Sequence, residues 1–314
     1  MTSCWIVTEG LAGTENQCLG IAESLGIMPL VKRVGLRQPW ALLSPWLGWE
    51  QSWTFTGDPL RAPWPDLVIA SGRKSIAAAR YIKRQSGGRA MVVQIQDPRI
   101  SAAPFDLVAV PQHDKLRGSN VIVTHAAPNR ITPRRLADGR ADFANILGAV
   151  PHPRVGVLIG GNSKTHRLTP EIMKTLAHQL KELDRHGYGL MITASRRTGE
   201  ENLQTLKEAL NGTRAFLWDG RGSNPYFGIM GWADYILVTS DSTSMISEAA
   251  TTGKPVYMIP LEGTSPKFEV FHRHMTELGV IRPFEGRLES FEYTPLDDAR
   301  LVSEEIRKRM PPAR

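Results

Sequence analysis

Three times along this chain a β-branched apolar run stops at a loop of small polar residues and then turns into a helical pattern. The segments are CWIVTEGLAGTENQCLGIAESLG (Cys4 to Gly26), RVGVLIGGNSKTHRLTPE (Arg154 to Glu171) and LVTSDSTSMISEAATTGKPVYMIP (Leu237 to Pro260). Strand, small-residue loop and helix in that order define a unit in which backbone N–H groups converge at the helix start and can hold an anion. Further short apolar runs alternate with helical stretches: Asp66–Ala70, Ala90–Ile95, Asp106–Val110 and Asn120–Val123 in the first half, Val155–Ile159, Leu190–Thr193, Ala215–Trp218, Tyr235–Val238 and Pro255–Ile259 in the second. Such alternation predicts mostly parallel sheets with helices on both faces.

The length of 314 residues exceeds what one core usually organises, so two domains of about 150 residues each are expected. The stiff tripeptide Pro151–His152–Pro153 marks the predicted boundary, giving domains over 1–152 and 153–294 and a terminal helix over 295–314. Thr169 is placed to cap a helix with Pro170 at its first position, and Gly26 to end the first helix. The net charge of +7 favours acidic small molecules or anionic surfaces. No basic run interleaved with aromatics suggests a nucleic-acid platform. With only Cys4 and Cys18, no C-x-x-C spacing and no secretory signal, the cytoplasm is the expected compartment. No His or carboxylate spacing predicts a metal site or a bound cofactor. Leu36–Pro65 breaks the strand–helix pattern with Trp40, Trp46, Trp49, Trp53 and Trp64, and reads either as an insertion packed by its indoles or as a flap touching lipid or acceptor.

Ligands in open α/β sheets sit beyond the carboxyl ends of the strands, where most of the unusual residues fall. Gly160, Gly161, Asn162, Ser163 and Lys164 form a turn able to admit a phosphate, although the run is neither a Walker loop nor G-x-G-x-x-G. Ser195, Arg196 and Arg197 offer guanidinium groups at a strand end. Ser242, Thr243 and Ser244 open a helix on which Glu248 lies one turn after Ser244, a spacing that suits phosphate first and sugar hydroxyls second. For each residue a structural role competes: tight turn, exposed cation, helix cap or helix charge.

The run SDSTSMISEAATTGKPVYMIP resembles the donor-binding helix of two-domain GT-B glycosyltransferases. More broadly, GLAGTENQCLGIAESLG, PDLVIASGRKSIAAARYIKR, QIQDPR, FDLVAVPQHD, VLIGGNSK, ASRRTGEEN and DGRGSNPY, with that run, resemble the mitochondrial-fission family named for elongated mitochondria and its bacterial homologues, in order along almost the whole chain. The resemblance implies a GT-B-like α/β architecture, two Rossmann-like domains with parallel sheets facing across a cleft, the last helix returning to the first domain. It further implies a metal-independent glycosyltransferase. The donor, a nucleoside-diphosphate sugar, would lie on Gly160–Lys164, Ser195–Arg197 and Ser242–Ser244, with Glu248 at the ribose and Trp218 and Asp219 at the base. Glu15, at the mouth of the first helix, is the candidate base, with Glu9, Asp97 and the His113–Asp114 pair as competitors, for an acceptor that is an envelope glycan or lipid-linked, with peripheral contact to an anionic membrane and no nucleic acid. A non-catalytic scaffold of the same shell, or another nucleotide-sugar enzyme, are the alternatives.

Overall fold

The structure, a computed structural model, describes residues 2–218 and 220–310. Its chain divides into two compact units, the first running to Arg130 and resuming at Asp297, the second covering Ile131–Leu296.

Unit 1 holds β1 (Cys4–Thr8), α1 (Ala12–Leu25), β2 (Leu30–Leu36), α2 (Trp40–Leu43), β3 (Phe55–Gly57), β4 (Leu67–Ser71), α3 (Ser75–Gln85), β5 (Met91–Ile95), β6 (Leu107–Pro111) and β7 (Val121–Thr124). The sheet order is β3-β2-β1-β4-β5-β6-β7, parallel except for β3, which runs antiparallel at the edge beside β2. Strands β1, β4, β5 and β6 are buried at every position, which is why they read as continuous apolar runs rather than alternating ones. Gly26 ends α1 in the left-handed conformation (φ 74°), a geometry a side chain would strain.

Unit 2 follows with α4 (Pro133–Asp142), α5 (Ala144–Leu147), β8 (Arg154–Ile159), α6 (Pro170–Arg185), β9 (Gly189–Ala194), α7 (Glu200–Ala209), β10 (Phe216–Leu217), α8 (Tyr226–Trp232), β11 (Tyr235–Thr239), α9 (Thr243–Thr251), β12 (Val256–Ile259), α10 (Pro266–Glu277) and β13 (Ile281–Pro283). Its sheet is wholly parallel, in the order β10-β9-β8-β11-β12-β13. The Thr169 hydroxyl accepts the Ile172 N–H as the cap of α6, whose Met173, Leu176, Ala177, Leu180 and Leu183 are buried.

The unit boundary falls at Arg130–Ile131, not at Pro151–Pro153. The reason is helix packing: α4 lies on α8 closely enough that a Cβ on Gly139 would stand 2.8 Å from the Phe227 carbonyl carbon, and one on Gly231 2.5 Å from the Leu136 oxygen. Small residues admit that approach, and it ties 131–150 to the second sheet. A final helix, α11 (Asp298–Arg309), belongs to unit 1. Val302 and Ile306 enter the same core cluster as Ile21 and Ile69, the Ser303 hydroxyl pairs with that of Ser24 (2.8 Å), and the Asp298 carboxylate accepts the N–H groups of His125 and Ala126 (both 2.9 Å).

Candidate functional site

In unit 2 the strand order reverses between β8 and β11, and both strands end in the small-residue loops singled out above. The two loops are locked together by a buried carboxylate. Asp241 is 5% exposed; its Oδ2 accepts the Gly161 N–H (3.1 Å) and lies 2.6 Å from the Arg197 guanidinium. A Cβ at position 160 would stand 2.3 Å from Asp241 Oδ1, and one at 161 would stand 2.1 Å from the Arg197 carbonyl oxygen, so both glycines are required by close approach. Asp241 Oδ1 has no hydrogen-bond partner among the described residues.

The glycine loop differs from an open phosphate cradle. The Gly160 N–H donates to the Thr239 hydroxyl (2.8 Å), the Gly161 N–H to Asp241, and the Asn162 N–H to the Arg197 carbonyl (2.9 Å). The Asn162 side chain accepts the Leu168 N–H, and the Ser163 hydroxyl accepts from Thr165 and His166. The Ser195 hydroxyl donates to the Gly160 carbonyl and accepts the Arg197 N–H. These groups build the loop. Asn162, Ser163, Lys164, Arg196 and Arg197 are all exposed, but the first two and Arg197 are already engaged in the loop, which leaves Lys164 and Arg196 as its exposed, unengaged cations among the described residues.

Open donors lie instead at the start of α9. Ser242 caps it by accepting the Met245 N–H (3.3 Å), while the Thr243 and Ser244 N–H groups, lacking earlier helical carbonyls, make no hydrogen bond among the described residues. The positive end of the helix dipole adds to them. One turn on, Glu248 is buried rather than solvent-facing, and its Oε2 accepts the Tyr226 hydroxyl. Burial pushes its carboxyl up to about 7. The sequence pattern misses this because Tyr226 reaches Glu248 from α8, twenty-two residues upstream.

Trp218 lines a cavity of about 670 Å³ with Phe143, Ile146, Phe216, Arg221 and Pro225. Its indole N–H donates to the Arg221 carbonyl (2.8 Å), leaving the ring to form a wall. Pro225 adjoins Tyr226, so the cavity, Glu248 and the α9 start follow one another through bonded or hydrogen-bonded residues. Phe143 and Ile146 lie on the stretch that the sequence reading assigned to the other domain; the glycines of α4 and α8 were the available signal. Asp219 lies outside the described residues.

Glu15 is in unit 1, in the first turn of α1. Both its oxygens take hydrogen bonds from Arg33 (2.9 and 2.8 Å), and that pairing holds its pKa below the ordinary carboxylate value. A carboxylate held in this way is a weak proton acceptor. Among the described residues no group of three or more His, Cys, Asp and Glu side chains converges as metal ligands would.

A family model described as mitochondrial fission ELM1 matches residues 12–310. The mitochondrial fission protein ELM1 of Arabidopsis thaliana is 26% identical to this chain, covering 97% of it and 90% of the relative. Among solved structures, UDP-GlcNAc 2-epimerase from Methanocaldococcus jannaschii superposes with a TM-score of 0.60 at 10% identity, over 98% of this chain and 100% of that one. The same enzyme in complex with UDP-GlcNAc and UDP gives 0.57 at 10% identity, with the same coverage. At such identity the likeness establishes the fold, an α/β GT-B-like architecture with two parallel sheets.

Proposed function

This chain belongs to the mitochondrial fission ELM1 family, and we propose that it binds a nucleoside-diphosphate sugar on unit 2 and transfers the sugar, without a metal, to a lipid-linked or envelope-glycan acceptor on unit 1. The observation that carries the reading is the pair of open amides on Thr243 and Ser244, with Glu248 one turn further along the same helix. The diphosphate would take those amides, with Lys164 and Arg196 as mobile countercharges. The ribose hydroxyls would donate to Glu248, which ligand hydroxyls would hold in its charged form. The base would enter the cavity walled by Trp218. As the glycosidic bond breaks, charge builds on the leaving diphosphate, where preorganised donors stabilise it most. Glu15 is given no proton transfer in this reading, because Arg33 occupies its carboxylate. That a structure of similar fold holds UDP-GlcNAc and UDP supports the ligand class.

The test is thermal unfolding with common nucleoside diphosphates. A ligand at one hundred times its Kd adds about 2.7 kcal/mol to the folded state, and the transition should rise saturably. Thr243→Pro is the sharper probe. Proline suits the first helical position and removes one open N–H, so stability should hold while affinity falls on the order of tenfold or more. Absence of a saturable shift with every nucleoside diphosphate overturns the reading.

The name of the Arabidopsis relative favours a second reading, a non-catalytic scaffold in membrane division. Its signature would be nucleotide binding, or none, with no sugar transfer to any acceptor, and partner binding that survives Thr243→Pro.

A further inference from the structure

The stretch between β2 and β3 is built inside out for a loop in water. Its backbone carbonyls point inward onto arginines: Arg73 donates to the carbonyls of Ala41 (3.1 Å) and Ser44 (3.2 Å), and Arg80 to those of Pro45 and Leu47 (both 2.8 Å). Glu50, 1% exposed, is clamped by Arg80 and Arg84. The Trp40 indole donates to the Gly48 carbonyl (3.0 Å) and packs edge-on against Trp53. With its polar side bound down, the loop turns its apolar side out. Leu42 is 70% exposed, Leu43 44%, Trp46 64%, Trp49 87% and Trp53 57%. Trp49 is held at φ 60°, a region disfavoured for residues with a Cβ, and projects its ring into solvent.

Charge selects the occupant. Between Gln38 and Gly57 the one carboxylate is the buried Glu50, while the exposed charges at the rim are Arg37, whose N–H donates to the Thr54 carbonyl beside Trp53, and Arg73. Indole rings prefer the boundary between headgroups and acyl chains, and rim arginines favour anionic headgroups. Among the described residues no helix is long and apolar enough to cross a membrane, so contact here is by insertion of side chains from a rigid loop.

We infer that the 42–53 loop is a membrane-docking surface which seats Trp46 and Trp49 in the interface of an anionic bilayer. It lies where β2 ends and where the β4–α3 turn supplies Arg73, at the carboxyl end of the unit 1 sheet, the end the proposed acceptor would approach. The inference does not depend on sugar transfer: nucleotide binding is read without lipid, and docking without nucleotide.

The experiment is sedimentation of the full chain with vesicles of phosphatidylcholine alone or with one third phosphatidylglycerol. Binding to the anionic vesicles is expected, weakened by salt. Trp46→Ser with Trp49→Ser should reduce it on the order of tenfold or more, and Arg37→Glu at least about fivefold, on the anionic vesicles. Trp49→Gly guards against misfolding, since glycine accepts φ 60°: its thermal midpoint should hold or rise while vesicle binding falls. No binding to anionic vesicles at low salt overturns the inference, as does equal binding by the tryptophan variants. A change from dimer to monomer in those variants with vesicle binding intact would assign the patch to a second copy of this chain and overturn it as well.

Discussion

The two sheets share the doubly wound order, and at the point where that order reverses they present opposite chemistry. In unit 1 the loop after β1 carries Glu9, whose carboxylate accepts the Lys74 N–H (2.8 Å), and α1 opens with Glu15 on the largely exposed Arg33. In unit 2 the carboxylate is sunk behind the loops, locked to Arg197 and the Gly161 amide, and the helix that follows shows bare N–H groups. The strand order is the same in both; what differs is how the carboxylate near each helix start is held, by an exposed arginine in unit 1 and sunk behind the loops in unit 2.

The largest test of the contrast is Arg197→Ala. Stripping the cation from a carboxylate whose side chain is wholly buried should cost about 3 kcal/mol in urea unfolding. Glu15→Gln, its counterpart in unit 1, should leave stability nearly unchanged, because Arg33 is exposed and water screens the pair. Equal losses in the two variants would erase the distinction.

Ser242→Ala comes next. Losing the cap should cost about 1 kcal/mol, yet nucleoside-diphosphate affinity should persist, since the Thr243 and Ser244 amides remain. A parallel loss of affinity, followed by calorimetry, would move the anion contact from backbone to hydroxyl.

The most specific effect concerns pH. The Glu248 carboxyl sits at about 7 in the folded chain against an ordinary value of 4.5, so the native state holds an extra proton between those values. Its contribution is therefore present below the ordinary value and lost as pH rises through 7. Glu248→Gln should flatten the fall in thermal midpoint between pH 5 and pH 8. No counterpart is expected from Glu15, whose shift runs the other way.

Much of this was legible from residues alone. Buried strands announce themselves as unbroken apolar runs, and Thr169, Ser242 and Gly26 mark helix ends through chemistry confined to a few neighbours. What escaped the sequence depends on distant partners. β2 mixes Lys32 and Arg33 among apolar residues, and β13 is three residues long, too short to carry a pattern. Glu15 reads as a free carboxylate until Arg33 is brought beside it, and Glu248 as an open carboxylate for sugar hydroxyls until Tyr226 covers it. Asp241, which holds the two loops together, looked like one polar residue among many.

Because α11 completes the core of unit 1, the first fold to begin is the last to be finished. A nascent chain reaches Leu296 with every strand of unit 2 already made, while β1, α1 and their neighbours still lack Val302 and Ile306. Unit 2 is in effect a self-contained insert between Arg130 and Asp297, and a ribosome that stalled before the final helix would release one finished half joined to one whose greasy flank is bare.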